Sequence, residues 1–150
     1  MRKVDTNASR KNVLLERGQI CALLREYFSQ RVDVAAAYLF GSRARGDARP
    51  DSDVDVGIFF REPPRGDPLA GLSRRTEITA ALEEIFPCAV DVVDLDRVSP
   101  LVFHVLFEDA QLVYEADPDR RMLAVLRQDK LYQDELGLYL ERMAYVRGRL

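Results

Sequence analysis

Gly41-Ser42-Arg43-Ala44-Arg45-Gly46 and, seven residues on, Asp53-Val54-Asp55-Val56-Gly57-Ile58-Phe59-Phe60 are the stretches on which the fold turns. The first follows Val34 to Phe40, an apolar run of strand length that stops at a glycine. A strand, a tight turn and a short helix over Gly41–Gly46 are therefore expected, with Asp47–Pro50 as the loop exit. The second stretch alternates. Val54, Val56 and Ile58 share one face of a strand, and Asp53 and Asp55 share the other, roughly 7 Å apart along the backbone.

Two carboxylates held that close repel each other, and a divalent cation removes the repulsion. Oxygen-only ligands suit Mg²⁺ or Mn²⁺, and Mg²⁺ completes its octahedron with water and phosphate oxygens. The Gly41-Ser42 turn offers backbone N–H groups and a hydroxyl to a phosphate, and Arg43 and Arg45 add positive charge. Taken singly these features are commonplace: a Gly-Ser turn, a solvated strand edge, surface arginines. Their order and spacing together point to an anion cradle beside a metal platform. A calcium loop is the rival, since Asp51, Asp53, Asp55 and Glu62 fall at its first, third, fifth and twelfth positions. Val56 stands where that loop needs glycine, and Gly57 to Phe60 are strand-like, which excludes it.

Working outward, helical spacing of Val13, Leu14, Ile20, Cys21, Leu23, Leu24, Tyr27 and Phe28 predicts a helix from Asn12 to Ser29, after a flexible lead over residues 1–10. Glu62 to Pro68 is a proline-rich loop, and a second helix spans Leu69–Ile85 up to a break at Pro87. Ala89 to Leu95 is a third strand. Asp91 interrupts it, and a lone buried carboxylate is costly unless paired or metal-bound. Asp91 is thus the candidate third acid beside Asp53 and Asp55, with Asp94 as the fallback; Asp94 and Asp96 suit the strand's end.

Ser99-Pro100 starts a helix to about Phe107, and Leu112–Glu115 is an edge strand. From Asp117 to the end, Met122, Leu123, Leu126, Leu131, Leu136, Tyr139, Leu140, Met143 and Val146 predict one long amphipathic helix or a broken pair, core on one face with a remainder able to dock a partner. His104, the only histidine, suits a helix contact, and Tyr114, Tyr132 and Tyr139 suit packing or an interface.

The 150 residues fit one α/β domain with a single core, and no linker divides them. No apolar run is long enough to span a bilayer, so no membrane partner is expected. The polar start MRKVDTNASRKN does not read as a secretory signal. Cys21 and Cys88, far apart and without a His partner, are expected to be reduced thiols of a cytoplasmic protein. A formal charge of −3 argues against a general nucleic-acid binder.

The run from Gly41 to Asp55, with Asp91 on a later strand, resembles the signature of the polymerase-β-like nucleotidyltransferase superfamily. In that signature a Gly-Ser pair precedes two aspartates one residue apart, followed by a third acid. The Ala44-Arg45-Gly46 extension and Ser52 before Asp53 resemble its minimal nucleotidyltransferase branch, as do chain size and element order. The resemblance implies a short mixed sheet flanked by helices. It implies ATP as substrate, held by Gly41, Ser42, Arg43 and Arg45, and Mg²⁺ on Asp53, Asp55 and Asp91, with Asp91 also helping to deprotonate the acceptor. Many members of this branch are encoded beside HEPN-domain proteins. The resemblance therefore implies an antitoxin that attaches AMP to a tyrosine of a HEPN ribonuclease toxin, in a hetero-oligomer with it. Two alternatives stand beside it: an antitoxin acting by contact alone, and AMP transfer to a small molecule such as an aminoglycoside.

Overall fold

The structure, a computed structural model, describes residues 15–62 and 66–149. Its elements in chain order are helix α1 (Arg17–Ser29), strand β1 (Val34–Phe40), helix α2 (Gly41–Arg45), strand β2 (Val54–Phe60), helix α3 (Pro68–Ile85), strand β3 (Val90–Asp94), helix α4 (Pro100–Leu106), strand β4 (Gln111–Glu115) and helix α5 (Pro118–Arg147). The four strands form one sheet in the order β3-β2-β1-β4. β1 runs antiparallel to β2 and β4, while β2 and β3 are parallel. A parallel pair needs a crossover, and α3 supplies it. This is the mixed α/β architecture that the sequence leads one to expect.

The strand alternation sorts the core into two layers. Val54, Val56, Ile58 and Phe60 of β2 pack with Ile20, Leu24 and Phe28 of α1 and Ile78 and Leu82 of α3. On the opposite face Tyr38, Phe40 and Phe59 meet Phe103 of α4 and Ala124 of α5. All seven residues of β1 are buried, because helices cover both of its faces. That double coverage explains its uninterrupted apolar sequence. A register shift between Val34 and Ala36 places Ala35 and Ala36 in the same layer, as a bulge does.

Gly57 lies opposite Tyr38, and the Phe40 ring crosses directly over it. A Cβ there would collide with that ring and crowd Leu95 Cδ2. Gly57→Ala is therefore expected to cost about 1–3 kcal/mol, measurable as a lowered urea midpoint with an unchanged slope. An unaltered midpoint would contradict this packing.

Several helix ends follow local chemistry. Asp67, Ser99 and Asp117 cap α3, α4 and α5 with side-chain oxygens that accept from Leu69 N, Val102 N and Arg120 N, and each is followed by proline. α1 begins later than expected, at Arg17 and not Asn12. Glu16 is extended and its N–H donates to Gln19 Oε1 at 3.0 Å, which starts the helix there. Val13 and Leu14, the lead over residues 1–10 and much of the proline-rich loop lie outside the described residues.

α5 is one unbroken helix of 30 residues. Only Ala124 and Gln128 on it are buried, so its core-facing stripe is shorter than the sequence suggests. Leu136, Tyr139, Leu140, Met143 and Val146 are not core residues; they lie on a segment that has left the body of the domain. Among the described residues, no helix is long and apolar enough to cross a membrane.

Candidate active site

The end of β1 and the start of β2 are neighbours, with Phe40 paired to Asp55. Chain reversal therefore begins right beside Asp55. Gly41 takes it with φ +68°, and Gly46 closes the short helix with φ +85°. At Gly46 the next two N–H groups, of Gly46 and Asp47, both donate to Ser42 O, at 3.0 and 3.2 Å. The α-carbon of Gly41 faces the Asp55 carboxylate so closely that a Cβ would overlap Oδ2. Glycine is required twice over, by conformation and by contact.

In the parallel pair, Asp55 lies opposite Asp91. Asp53 directly precedes β2. The structure thus brings Asp53, Asp55 and Asp91 to one end of β2 and β3, next to the Gly41-Ser42 turn. Asp53 and Asp91 are exposed and Asp55 is half-buried. Burial pushes the Asp55 carboxyl above the usual carboxylate range; the charges of Asp91 and then Asp53 add to this, and Arg45 partly offsets it. Among the described residues no group of three or more His, Cys, Asp or Glu side chains is drawn together closely enough to hold a metal ion by itself. The arrangement is an open acidic platform with excess negative charge. Such a platform suits a hard divalent cation that draws its remaining oxygens from a phosphate ligand and water.

The two arginines part company. Arg43, expected beside the phosphates, is buried; its Nη2 donates to Ser52 O at 2.8 Å and its Nε to the same oxygen at 3.3 Å. It braces the loop that delivers Asp53 and is not exposed at the rim of the platform. The physical reason is helix geometry: residues two apart point about 200° from each other, so one of the pair must face inward. Arg43→Ala is expected to destabilise the protein by about 1–3 kcal/mol, since it removes a buried charged donor from the partly buried Ser52 carbonyl; thermal unfolding at two scan rates checks this. No fall in the midpoint would contradict the bracing role.

Arg45 stays at the rim, half exposed, 3.4 Å from Asp47 Oδ2 and 3.3 Å from Asp109 Oδ2. It borders an open cleft of about 410 Å³ lined by Arg17, Ala44, Glu108, Asp109 and Ala110. Sequence inspection does not associate Asp109 with Arg45, because 64 residues separate them. Ser42 is half-buried in the first turn of α2.

The fallback acid, Asp94, is paired with Ile58, three positions along β3 from Asp91. It is buried, its Oδ1 accepts from Asp96 N at 3.1 Å, and burial raises its carboxyl above the usual range. Asp96 pairs with Arg120 at 2.5 Å. Neither joins the acidic platform. His104 stacks on Tyr132 with ring centroids 4.0 Å apart, a contact between α4 and α5, and Tyr114 stacks on Phe28. Cys21 and Cys88 are free thiols. Residues 54–60 are strand, which leaves no calcium loop between Asp51 and Glu62.

Residues 23–119 match the family described as polymerase beta, nucleotidyltransferase. Over 89 residues the chain is 33% identical to the protein adenylyltransferase MntA of Aphanizomenon flos-aquae (strain 2012/KM1/D3). That match spans 54% of this chain and 57% of the relative, so the chain covers just over half of the relative's length. Among solved structures, a chain of a toxin–antitoxin crystal structure with AMP-PNP has the same fold, with TM-score 0.57 and 24% identity over 89% of this chain and 98% of that one. A chain of the complex between the tri-AMPylated Shewanella oneidensis HEPN toxin and its MNT antitoxin matches with TM-score 0.50 and 23% identity, over 88% and 93%.

Proposed function

We propose a function that proceeds from one premise: this chain belongs to the polymerase β nucleotidyltransferase family. It transfers AMP from ATP to a hydroxyl of a partner protein, a tyrosine of a HEPN-domain toxin, and so acts as the antitoxin of a toxin–antitoxin pair in the cytoplasm. The observation that carries this is the placement of Asp55 opposite Asp91 and against Gly41, which gathers the acidic platform and the glycine turn at one point. The adenylyltransferase relative and the complex with an AMPylated HEPN toxin support the choice of donor and acceptor.

Asp53, Asp55 and Asp91 would hold Mg²⁺. The chemistry such a cation would supply is positive charge against the α-phosphate and the leaving pyrophosphate. The Gly41-Ser42 turn presents backbone N–H groups and a hydroxyl to the triphosphate, and the absence of a Cβ at Gly41 lets it lie against Asp55. Arg45 supplies positive charge at the rim, while Arg43 keeps the Asp53 loop in place. Asp91, exposed beside Asp55, accepts the proton of the attacking tyrosine hydroxyl. The oxygen–phosphorus bond to the acceptor forms as the bond between the α-phosphorus and the pyrophosphate oxygen breaks.

Intact-mass measurement of the HEPN-domain partner after incubation with this protein, ATP and Mg²⁺ tests the acceptor. The expected result is an increase by whole AMP units, abolished when the partner's modified tyrosine is replaced by phenylalanine. A partner that is silenced and stably bound without any gain in mass would establish an antitoxin acting by contact. Transfer confined to an added aminoglycoside would establish a small-molecule enzyme.

A further inference from the structure

The distal half of α5 carries an apolar seam that, among the described residues, is covered only at its first residue, Tyr132. Tyr132, Leu136, Tyr139, Met143 and Val146 follow one another at spacings of four, three, four and three. That is the repeat of a helix that packs along a second helix. Past Tyr132, which rests on His104, the seam is open: Leu136 is 42% exposed, Tyr139 59%, Met143 36% and Val146 51%. The segment 129–147 is about 28 Å long at 1.5 Å per residue. Its apolar residues gain nothing from the domain's own core.

The charges beside the seam select the occupant. Glu135 precedes Leu136 and Arg142 precedes Met143, so both flank the same edge of the seam, seven residues apart. They lie about 10 Å from each other along the helix, too far for an ion pair within one chain. Among the described residues, the ion pair present on this segment is Lys130–Asp134, on another side.

Two copies running antiparallel would place Leu136 against Tyr139 of the second copy, and Tyr132 against Met143 of the second copy. In that register Glu135 meets Arg142 of the second copy, and the two-fold axis repeats the pair. A parallel arrangement would instead set Arg142 against Arg147 and Glu135 against Leu140. Only the antiparallel register satisfies both charges.

We propose that the distal half of α5 is a homodimerisation surface, on which a second copy of this chain packs its own α5 antiparallel. The symmetry places the two acidic platforms on separate bodies at opposite ends of the helix pair.

Sedimentation equilibrium of the full-length chain tests this, over a wide concentration range. The wild type is expected to associate to twice the monomer mass. Glu135→Arg and Arg142→Glu are each expected to weaken association by about tenfold or more, because each puts like charges together. Both side chains are exposed, so the circular dichroism melt of each variant is expected to match the wild type. An equimolar mixture of the two variants restores Glu–Arg pairing at both positions and is expected to regain wild-type association, as is the double variant. A wild type that stays monomeric throughout, or variants that dimerise as tightly as it does, would overturn the proposal. So would a mixture of the two variants that remains as weak as its parts.

Discussion

Asp55→Asn is expected to abolish AMP transfer while making the metal-free protein more resistant to heat. The loss should be on the order of 10³-fold or more, since the substitution takes one anionic ligand from the centre of the platform. The gain in stability follows from the same carboxylate. Burial and the neighbouring charges of Asp91 and Asp53 raise its folded-state pKa above the unfolded value. The folded state therefore binds the proton more tightly. The contribution to stability is fully present below the unfolded pKa and is lost as pH rises through the folded one. At neutral pH the wild type bears this penalty and the amide does not. Thermal melts between pH 4 and pH 8 in the presence of a chelator check the claim: the wild type should gain stability towards acid relative to Asp55→Asn. A variant less stable than the wild type at pH 7 would mean that Asp55 serves the fold and not the site.

Gly41→Ala is expected to have the second-largest effect, and it should damage both stability and transfer. A residue with a side chain is strained at φ +68°, and its Cβ would overlap Asp55 Oδ2. The strain costs about 1–3 kcal/mol. Asp55 must also move, so transfer should fall by about 10²-fold or more even where the protein remains folded. ATP-dependent labelling at a temperature well below the variant's own melting point separates the two effects. Full activity in a folded Gly41→Ala protein would contradict the close approach of the turn to Asp55.

The alternation of β2 is legible in the sequence because an apolar face and an acidic face declare the period of a strand. The strand–turn–helix at Gly41 is legible for a similar reason: an apolar run, a glycine and a second glycine five residues later leave little choice. The choice of Asp91 over Asp94 is less direct. Both interrupt the same apolar strand, and only the register of β3 on β2 shows that Asp91 lies opposite Asp55. Register depends on pairing between segments over 30 residues apart, which local pattern does not encode. Arg43 and Arg45 look equivalent in a sequence, yet helix geometry already requires them to diverge; that signal was available. The 4-3 spacing along α5 looks the same whether a helix packs on its own domain or on another chain. The sequence therefore shows the seam without saying what covers it, and only the exposure of Leu136 and Tyr139 separates the two cases.

Transfer of label from α-³²P-ATP to the HEPN-domain partner, with Mg²⁺, is the most direct test of the acidic platform as a catalytic centre. Wild-type protein should be compared with Asp53→Asn, Asp55→Asn and Asp91→Asn in parallel. Label is expected on the partner with the wild type and none with any of the three variants, each still folded. Undiminished labelling by any one variant would remove that residue from the centre. Labelling by all three would contradict the centre itself.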